Sequence, residues 1–353
     1  MDTINRFFIE NDPVDRRSFL KRFGILGAGI LSVAAFPVSA EALRFDRRLY
    51  KVSKTRLTMG TFVSMTLLHS SRDEAQQAMG EAFDEIDRLT RIMSRFDSST
   101  AVAQLNHEGV LKDIPPEVAE VMVRSMKFHN LSGGAFDISI KPVVDLFKAR
   151  FSQGKSTPPA SDQVRKALTL VDARRIHCAG GVIRFERPGM GITLDGIAKG
   201  YIVDRISAIL SGHGIRNHLI NAGGDIRTRG HARDKRPWTV AIQDPEKQRQ
   251  YPDIIHMTNG AIATSGNYEI YFDREKMFHH IVNPATGRSP HDATSVSVLA
   301  DTAMDADALS TSVFVMGPGR GIRFINSLPR CESLVLARGN QKFPSHGWKS
   351  ART

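Results

Sequence analysis

The clearest pattern of apolar and polar positions is a helical one at residues 73–95. Apolar side chains recur there every three or four residues, at Ala75, Ala78, Met79, Ala82, Phe83, Ile86, Leu89, Ile92 and Met93. This spacing puts them on one face and predicts an amphipathic helix that packs against a core. A second helix is expected after Pro115-Pro116, because proline suits the first helical turn and another apolar face follows.

Shorter apolar runs, separated by glycine and polar residues, predict strands along the rest of the chain. They lie at 57–68, 182–185, 218–221, 238–242, 261–264, 280–282 and 295–299. A third helix is expected to begin near Ala198 and to continue through Leu210. These elements do not follow the regular strand–helix alternation of a doubly wound sheet. The pattern therefore predicts an α+β fold in which helices cover an antiparallel sheet core.

The first forty residues have the features of an export signal. Arg16-Arg17 precede an apolar stretch at 23–36, and the small residues of Val38-Ser39-Ala40 offer a cleavage site. This order is typical of exported proteins, and the paired arginines indicate the twin-arginine route. The alternative is an uncleaved membrane anchor, although the apolar stretch is short for a span. We therefore expect a signal at 1–40 and a periplasmic mature domain at 41–353.

Length and composition favour an ordinary globular domain with a substantial core. The chain has 353 residues, of which 41% are hydrophobic and 24% are charged. A polar segment at 149–162, rich in Ser, Pro and Gly, predicts an exposed loop or a soft internal boundary. Only two cysteines are present, Cys178 and Cys331, and a domain of this size does not need a disulfide. We expect two free or buried thiols.

The charge of the chain narrows the choice of partner. A formal net charge of +11 favours an anionic partner, which includes nucleic acid, an anionic membrane and a phosphate-bearing ligand. No long run of Lys and Arg with interleaved aromatic residues is present, and only 7% of the chain is aromatic. Nucleic acid is therefore a poor fit, and a phosphate-bearing ligand is the better expectation.

An acidic stretch near the end of the chain has two compatible interpretations. Residues 301–312 read DTAMDADALSTS. Carboxylates in a first helical turn interact well with free N–H groups and with the helix dipole. In a helix, Asp307 and Thr311 also share one face because they are four residues apart. A carboxylate and a hydroxyl are hard oxygen ligands, which suit Mg²⁺.

Glycine-rich or polar stretches interrupt the apolar pattern at 133–137, 193–201, 221–225, 264–268 and 280–287. Each has an ordinary structural interpretation. The second fits a strand-to-helix turn, Gly223-Gly224-Asp225 fits a hairpin turn, and His280 fits a structural imidazole. None matches a Walker or Rossmann fingerprint. No Ser-His-Asp order, Cys-His pair or zinc-type spacing is evident.

The order of these stretches is more specific than any one of them. Met-Gly-Thr is followed by S-R-F-D, G-G-A-F-D, G-I-A-K-G-Y, N-A-G-G-D, T-S-G-N-Y, H-I-V-N-P-A-T-G and A-D-A-L-S-T. This series, over about residues 55–318, resembles the ApbE family of FAD:protein FMN transferases. The resemblance implies an enzyme outside the cytoplasmic membrane that binds FAD and Mg²⁺. It would attach FMN to a threonine or serine of an acceptor protein and release AMP.

The resemblance also implies roles for individual residues. The Mg²⁺ ligands would be the backbone carbonyl of Gly196, the Asp307 carboxylate and the Thr311 hydroxyl. Contacts to the flavin nucleotide would come from Met59, Phe96, Ala135, Phe136, Asp137, Thr193, Lys199, Thr264, Ser265 and His280. The acceptor hydroxyl must lose a proton, and the candidate bases are Asp307, His280 and Asp195, in that order. Contact with a membrane would occur only through the acceptor protein.

This chain departs from the common family pattern at two places. Many relatives read D-L-G-G-I-A-K-G, whereas Thr193 and Asp195 make the motif T-L-D-G-I-A-K-G here. A frequent S-E pair is replaced by Thr100-Ala101. The T-L-D-G-I-A-K-G form of the motif resembles that of the family branch tied to nitrous oxide reductase maturation, whose acceptor is a membrane flavoprotein. Two alternatives stay open, namely an exported FAD carrier and a Mg²⁺-dependent FAD pyrophosphatase.

Overall fold

The computed structural model describes residues 41–44, 49–152, 157–245, 251–267 and 279–351. The predicted export signal at 1–40 lies outside them. The helices are α1 (Arg72–Met93), α2 (Ala101–Glu108), α3 (Pro116–Leu131), α4 (Lys141–Ser152), α5 (Ser161–Leu168), α6 (Ala198–Gly212) and α7 (Ala303–Asn326). The first half of the chain contributes the strands β1 (Glu41–Arg44), β2 (Tyr50–Thr58), β3 (Thr61–His69), β4 (Val110–Leu111), β5 (Ile176–Ala179) and β6 (Val182–Phe185). The second half contributes β7 (Asn217–Ala222), β8 (Asp225–Arg229), β9 (Trp238–Ala241), β10 (Ile254–Met257), β11 (Gly260–Gly266), β12 (Ser295–Ala300), β13 (Glu332–Leu336) and β14 (Lys342–Pro344).

One large sheet organises the fold. Its described strands run in the order β1-β2-β3-β7-β8-β11-β12-β13-β14, and each neighbouring pair is antiparallel. The smaller sheets are β4-β6-β5 and β10-β9. This architecture confirms the predicted α+β class, with an antiparallel sheet core and covering helices.

The main apolar core lies between one face of the large sheet and the helices α1, α6 and α7. In α1 the predicted apolar face is buried, including Phe83, Ile86 and Leu89. Along strand β3, buried and more exposed side chains alternate, and Val63 and Met65 are among those that point into the core. The other face of the sheet is covered at β8 and β11 by the β9–β10 hairpin. The amphipathic pattern of the sequence therefore decides which side of each element is buried.

Two strand predictions were wrong. The segment 57–68 is not one strand, because the chain turns at Met59-Gly60 between β2 and β3. Both turn residues have positive φ, 53° at Met59 and 71° at Gly60. The segment 280–282 is not a strand either, since only His279 forms a bridge and the next residues are irregular. Val282 instead packs into a small apolar cluster with residues of α4.

The polar segment 149–162 is only partly a loop. Helix α4 continues to Ser152, residues 157–160 are irregular, and α5 begins at Ser161. Residues 153–156 lie outside the described part of the chain. The helices on either side pack into one apolar cluster that includes Phe147 and Val164. The boundaries of the mature domain stay a prediction.

Helix α7 crosses the sheet and supplies the acidic stretch singled out above. Thr302 caps it, because its side chain accepts a hydrogen bond from the Asp305 N–H at 3.1 Å. The helix is interrupted at Gly317, where φ is 74° and Pro318 follows. Among the described residues, no helix is both long and apolar enough to cross a membrane. Cys178 and Cys331 are both free thiols.

Candidate functional site

The candidate site lies where the first turns of α6 meet the second turn of α7. The chain enters α6 through a tight turn at residues 193–197, in which the Ala198 N–H bonds the Leu194 carbonyl at 2.9 Å. A Cβ placed on Gly196 would lie 3.0 Å from the Thr311 Oγ1. The backbone of Gly196 therefore faces the Thr311 hydroxyl on α7. Two of the three predicted metal ligands are adjacent in the fold, although 115 positions separate them in the chain.

Asp307 joins the same place from the previous turn of α7. Its Oδ2 accepts a hydrogen bond from the Gly200 N–H at 3.1 Å. That N–H belongs to the first turn of α6, where amides have no partner inside the helix and favour a negative charge. The contact needs glycine, because a Cβ on Gly200 would lie 2.3 Å from the Ala303 carbonyl oxygen. The two helices thus approach by backbone contact beside the carboxylate.

Charges around Asp307 are concentrated and buried. Burial raises the pKa of Asp307 well above the usual value, and the Asp225 carboxylate raises it further. Lys199 and the Gly200 amide act in the opposite direction. Lys199 Nζ lies 3.1 Å from Asp225 Oδ2, so the lysine partly neutralises the second carboxylate. When both acids are ionised, the single lysine leaves one negative charge without a counter-charge, and a divalent cation would offset it.

Asp225 was not among the residues predicted for this site. Its motif, N-A-G-G-D, was interpreted as a hairpin turn, and the structure confirms that turn between β7 and β8. The turn also directs the acid toward α6. Burial raises the pKa of Asp225, whereas Lys199 lowers it. The spacing of residues along the sequence does not predict the contact between Asp225 and Lys199, because this contact depends on how the sheet and α6 pack.

The end of β11 adds hydroxyl groups to the site. Ser265 Oγ lies 2.8 Å from Ser310 Oγ and 3.4 Å from Thr311 Oγ1. Thr264 Oγ1 lies 2.8 Å from Ser297 Oγ on the neighbouring strand. The Ser265 hydroxyl brings the end of β11 next to Ser310 and Thr311 of α7. The structure therefore places Ser265 at the site, whereas the Thr264 hydroxyl pairs with β12 and its contact with the nucleotide stays a prediction.

The turn that contains Met59 lies against the β7–β8 turn. The Gly223 N–H donates to the Phe62 carbonyl at 3.2 Å, and a Cβ on Gly223 would lie 2.4 Å from Thr61 Oγ1. Gly223 has a positive φ of 61°, which also favours glycine. Met59 is therefore held two residues from a contact with the hairpin that carries Asp225. Met59 itself packs against the main apolar core, and its contact with the flavin nucleotide stays a prediction.

The chain is similar to known proteins over most of its length. The model of the ApbE family matches residues 59–335, which is most of the chain. The chain belongs to the ApbE family. The predicted resemblance is thereby confirmed, and the match includes every predicted site residue.

Two ApbE relatives illustrate the extent of the similarity. A Treponema pallidum protein named FAD:protein FMN transferase is 29% identical over 311 residues, covering 82% of this chain and 85% of the relative. A Vibrio cholerae protein of the same name is 29% identical over 276 residues, covering 75% and 83%. Relatives with this name over most of the chain support its assignment as a transferase.

Solved ApbE structures share the fold. The ApbE protein of Thermotoga maritima superposes with a TM-score of 0.77 at 26% identity, over 84% of this chain and 97% of that one. The flavin transferase ApbE of Vibrio cholerae gives a TM-score of 0.74 at 24% identity, over 84% and 98%. The Vibrio cholerae protein therefore shares the fold of this chain.

Arg95 contacts both Phe96 and Asp195, and Asp195 directly precedes Gly196 in the chain. Phe96 is 65% exposed. The Arg95 guanidinium lies 4.5 Å from the Phe96 ring centroid, and Lys148 Nζ lies 4.9 Å from it. Arg95 Nε donates to Asp195 Oδ2 at 3.2 Å, and Arg95 also pairs with Asp145. The acid that departs from the common family motif is therefore bound by an arginine next to the predicted flavin contact.

The G-G-A-F-D stretch packs against the turn that contains Gly196. Phe136 is buried, and its ring lies 3.4 Å from the position of a Cβ on Gly196. Asp137 accepts hydrogen bonds from the Ser139 N–H at 2.8 Å and from the Ala173 N–H at 3.1 Å. Its hydrogen bond to His129 raises the pKa of that imidazole. Asp137 thus has a structural function here, and its contact with a nucleotide stays a prediction, as does that of Ala135.

For Thr193 and His280, the contacts in the structure do not show a role in binding or catalysis. Thr193 is buried, and its Oγ1 accepts the Asp195 N–H at 3.3 Å, so the hydroxyl supports the turn. His280 is half-buried beside His279, whose ring contacts Phe314. Residues 268–278, which include Tyr268 of the T-S-G-N-Y motif, lie outside the described residues. The predicted roles of Thr193 and His280 stay predictions.

The residues present fit a hard divalent cation. Within the described parts of the chain, no group of three or more His, Cys, Asp or Glu side chains could hold a metal ion. The predicted ligand set is different, because it combines one carboxylate with a hydroxyl and a backbone oxygen. Asp307, Thr311 and Gly196 would supply those oxygens from adjacent elements, and the Asp225 carboxylate lies nearby. Oxygen donors and excess negative charge are what Mg²⁺ prefers.

Proposed function

We propose that the chain transfers the FMN half of FAD to a threonine or serine hydroxyl of an acceptor protein, with Mg²⁺ bound at the α6–α7 junction. The product would be a phosphoester, and AMP would be released. The observation that carries the proposal is the meeting of Gly196, Gly200, Asp307 and Thr311 within an ApbE fold. This arrangement offers hard oxygen ligands at a buried, negatively charged place.

The chemistry is a phosphoryl transfer between two oxygens. The acceptor oxygen forms a bond to the phosphorus of the FMN half, and the bond from that phosphorus to the bridging oxygen breaks. AMP keeps the bridging oxygen, and the proton of the hydroxyl goes to a base. Positioning and charge neutralisation dominate reactions of this class.

Several residues have definable parts in this reaction. The Gly196 carbonyl, Asp307 and Thr311 would hold Mg²⁺, which when bound would neutralise the diphosphate. Lys199, held 3.1 Å from Asp225, contributes positive charge at the same place. Asp195 is engaged by Arg95, so Asp307 and His280 are the better candidates for the base. Met59 and Phe96 would contact the flavin nucleotide at the edge of the site.

The location of the reaction follows from the start of the sequence. We propose that the chain is exported by the twin-arginine route and acts in the periplasm, because Arg16-Arg17 precede a short apolar stretch. The acceptor would be an exported or membrane flavoprotein. The motif around Asp195 favours the branch linked to nitrous oxide reductase maturation, whose acceptor lies in the membrane.

One assay separates transfer from the two alternatives. The mature protein is incubated with FAD, Mg²⁺ and a candidate acceptor domain, and the products are separated on a denaturing gel and by chromatography. A fluorescent acceptor with an equimolar amount of AMP is expected, and neither should form with EDTA. Free FMN without a labelled acceptor would indicate a pyrophosphatase instead. Bound, unaltered FAD would indicate a carrier.

A further inference from the structure

We propose that Asp204 is a positioning residue, which fixes α7 against α6 and thereby holds Asp307 and Thr311 opposite Gly196 and Gly200. The proposal rests on the proposed function, because it concerns how that site is assembled. Asp204 lies on α6, one helical turn after Gly200.

The Asp204 carboxylate binds the start of α7 through both of its oxygens. Oδ1 accepts the Ala303 N–H at 2.9 Å, and Oδ2 accepts the Met304 N–H at 2.9 Å. These are first-turn amides, which have no acceptor within their own helix. A carboxylate at this end also interacts favourably with the helix dipole. A side chain of one helix thus serves as a cap for the other.

Arg227 ties the same contact to the sheet. It lies on β8, and its Nη1 is 3.5 Å from Asp204 Oδ1. The same guanidinium donates to the Asp301 carbonyl, just before α7 begins. Asp204 and Arg227 are each 21% exposed, so the pair is partly shielded from solvent. The strand that begins at Asp225 therefore takes part in holding α7.

The two carboxylate contacts between the helices form a pair of attachment points. At the first, α6 donates the Gly200 N–H to Asp307 on α7. At the second, α7 donates the Ala303 and Met304 N–H groups to Asp204 on α6. The points are about one helical turn apart on each helix, so together they restrict both sliding and rotation.

Loss of the Asp204 contact would act on the site through Asp307. Two amides at the start of α7 would lose their acceptor, and the helix could shift along α6. The shift would displace Asp307 and Thr311 from Gly196. Met59 and Phe96 lie on other elements, so the binding of FAD would change less than the requirement for metal or the rate of transfer.

The test compares Asp204→Ala and Asp204→Asn with Ser71→Ala. Ser71 caps α1 by accepting the Glu74 N–H at 3.2 Å, so its loss removes a helix cap away from the site. The kcat of FMN transfer, the KM for FAD, the Mg²⁺ concentration at half-maximal rate and the Mg²⁺-induced rise in Tm are measured for each variant. The Tm rise is read with Mg²⁺ alone and does not depend on transfer.

For Asp204→Ala we expect a rise of about tenfold in the half-maximal Mg²⁺ concentration and a fall of about tenfold or more in kcat. The KM for FAD should stay within about twofold. Asp204→Asn keeps one oxygen acceptor and should be intermediate, while Ser71→Ala should lower Tm only. The proposal would be overturned if Asp204→Ala lowered Tm but kept the kcat and Mg²⁺ response of Ser71→Ala.

The test still decides if Asp204→Ala does not fold or if the wild-type protein forms no flavin adduct. If Asp204→Ala does not fold, Asp204→Asn decides alone, and unchanged kcat and Mg²⁺ response in that variant would overturn the proposal. If the wild-type protein forms no flavin adduct, the proposed function fails, but the Mg²⁺-induced rise in Tm still compares the variants. A rise that is equal in Asp204→Asn and wild type would then overturn the positioning role.

Discussion

The Gly200 N–H donates a hydrogen bond to the Asp307 carboxylate at 3.1 Å, which joins the first turn of α6 to the second turn of α7. This bond brings the acidic stretch near the end of the chain to the G-I-A-K-G-Y stretch of its middle. Because the carboxylate is buried beside Asp225, its negative charge has a high electrostatic cost without a cation. The same cost makes the place suitable for a cation.

Replacement of Asp307 by Asn should separate function from folding. The amide has the shape of the carboxylate but no charge, so it can still accept the Gly200 N–H. We expect the rate of FMN transfer to fall at least about a hundredfold, while Tm is unchanged or higher because a buried charge has been removed. The gel assay measures the rate of FMN transfer, and thermal melts measure Tm. Asp84→Asn, on the exposed surface of α1, is the control, and a fully active Asp307→Asn protein would refute the metal assignment.

Replacement of Gly200 by Ala tests the close approach of the two helices. The added methyl group would lie 2.3 Å from the Ala303 carbonyl oxygen, so backbone must move. We expect a loss of about 1–3 kcal/mol in the free energy of unfolding and a large loss of transfer. Gly212→Ala is a matched control on the same helix, since nothing lies within 4 Å of its added methyl group. Equal stability of the two variants in urea would contradict the described contact.

The Arg95–Asp195 pair should affect the binding of FAD more than the transfer step. Arg95 stacks on Phe96 and binds Asp195, so it connects a predicted flavin contact with the turn that contains Gly196. We expect Arg95→Gln and Asp195→Asn each to raise the KM for FAD a few-fold, and the double variant to be less than additive. Steady-state kinetics of all four proteins measure the coupling. A large fall in kcat for Asp195→Asn at constant KM would instead identify Asp195 as the base.

His218 should make the protein less stable in acid. The ring is buried, with Nδ1 3.1 Å from the Ile215 carbonyl and Nε2 2.8 Å from Ser207 Oγ. Burial lowers the pKa of His218 to about 4, whereas an unfolded histidine titrates near 6.5. Between these values the unfolded chain binds more protons, so stability is complete above about pH 6.5 and is lost as the pH falls toward 4.

The contribution of His218 to this loss should be about 3 kcal/mol by pH 4. Urea unfolding at pH 7, 6 and 5 measures its onset for the wild-type protein and for His218→Gln. Glutamine does not titrate, so the variant should lose less stability over the same range. Parallel pH dependences for the two proteins would show that His218 is not responsible.

Local pattern was enough to predict some parts of the fold and misleading for others. The face of α1 with Phe83 and Ile86 repeats at helical spacing, and its burial follows from that spacing alone. The segment 57–68 was misjudged because Met59-Gly60 turn with positive φ, and a methionine at such a turn gives no usual signal. The segment 280–282 is apolar but irregular, since Val282 packs against α4 rather than pairing in the sheet.

In the candidate site, too, local sequence pattern predicts some residues and misses others. Asp307 and Thr311 could be paired from sequence because one helix face carries both. Their proximity to Gly196 followed only from the family resemblance, since no local rule joins positions so far apart. Asp225 and Asp204 were not predicted at all. Their contacts depend on the packing of the β7–β8 turn and of α6 against α7, which hydrophobic spacing does not encode.

The order of strands in the large sheet has a consequence for when the site can exist. Strand β3, which follows the Met59 turn, pairs with β7, so the 147 residues that separate the two strands must be synthesised before Ser64 can pair with Asn221. The groups near Asp307 come from α6, β8, β11 and α7, so the set is complete only once α7 has been synthesised. Loss of nucleotide affinity during denaturation should therefore coincide with loss of the whole sheet. FAD should therefore bind only to a chain that extends at least through α7.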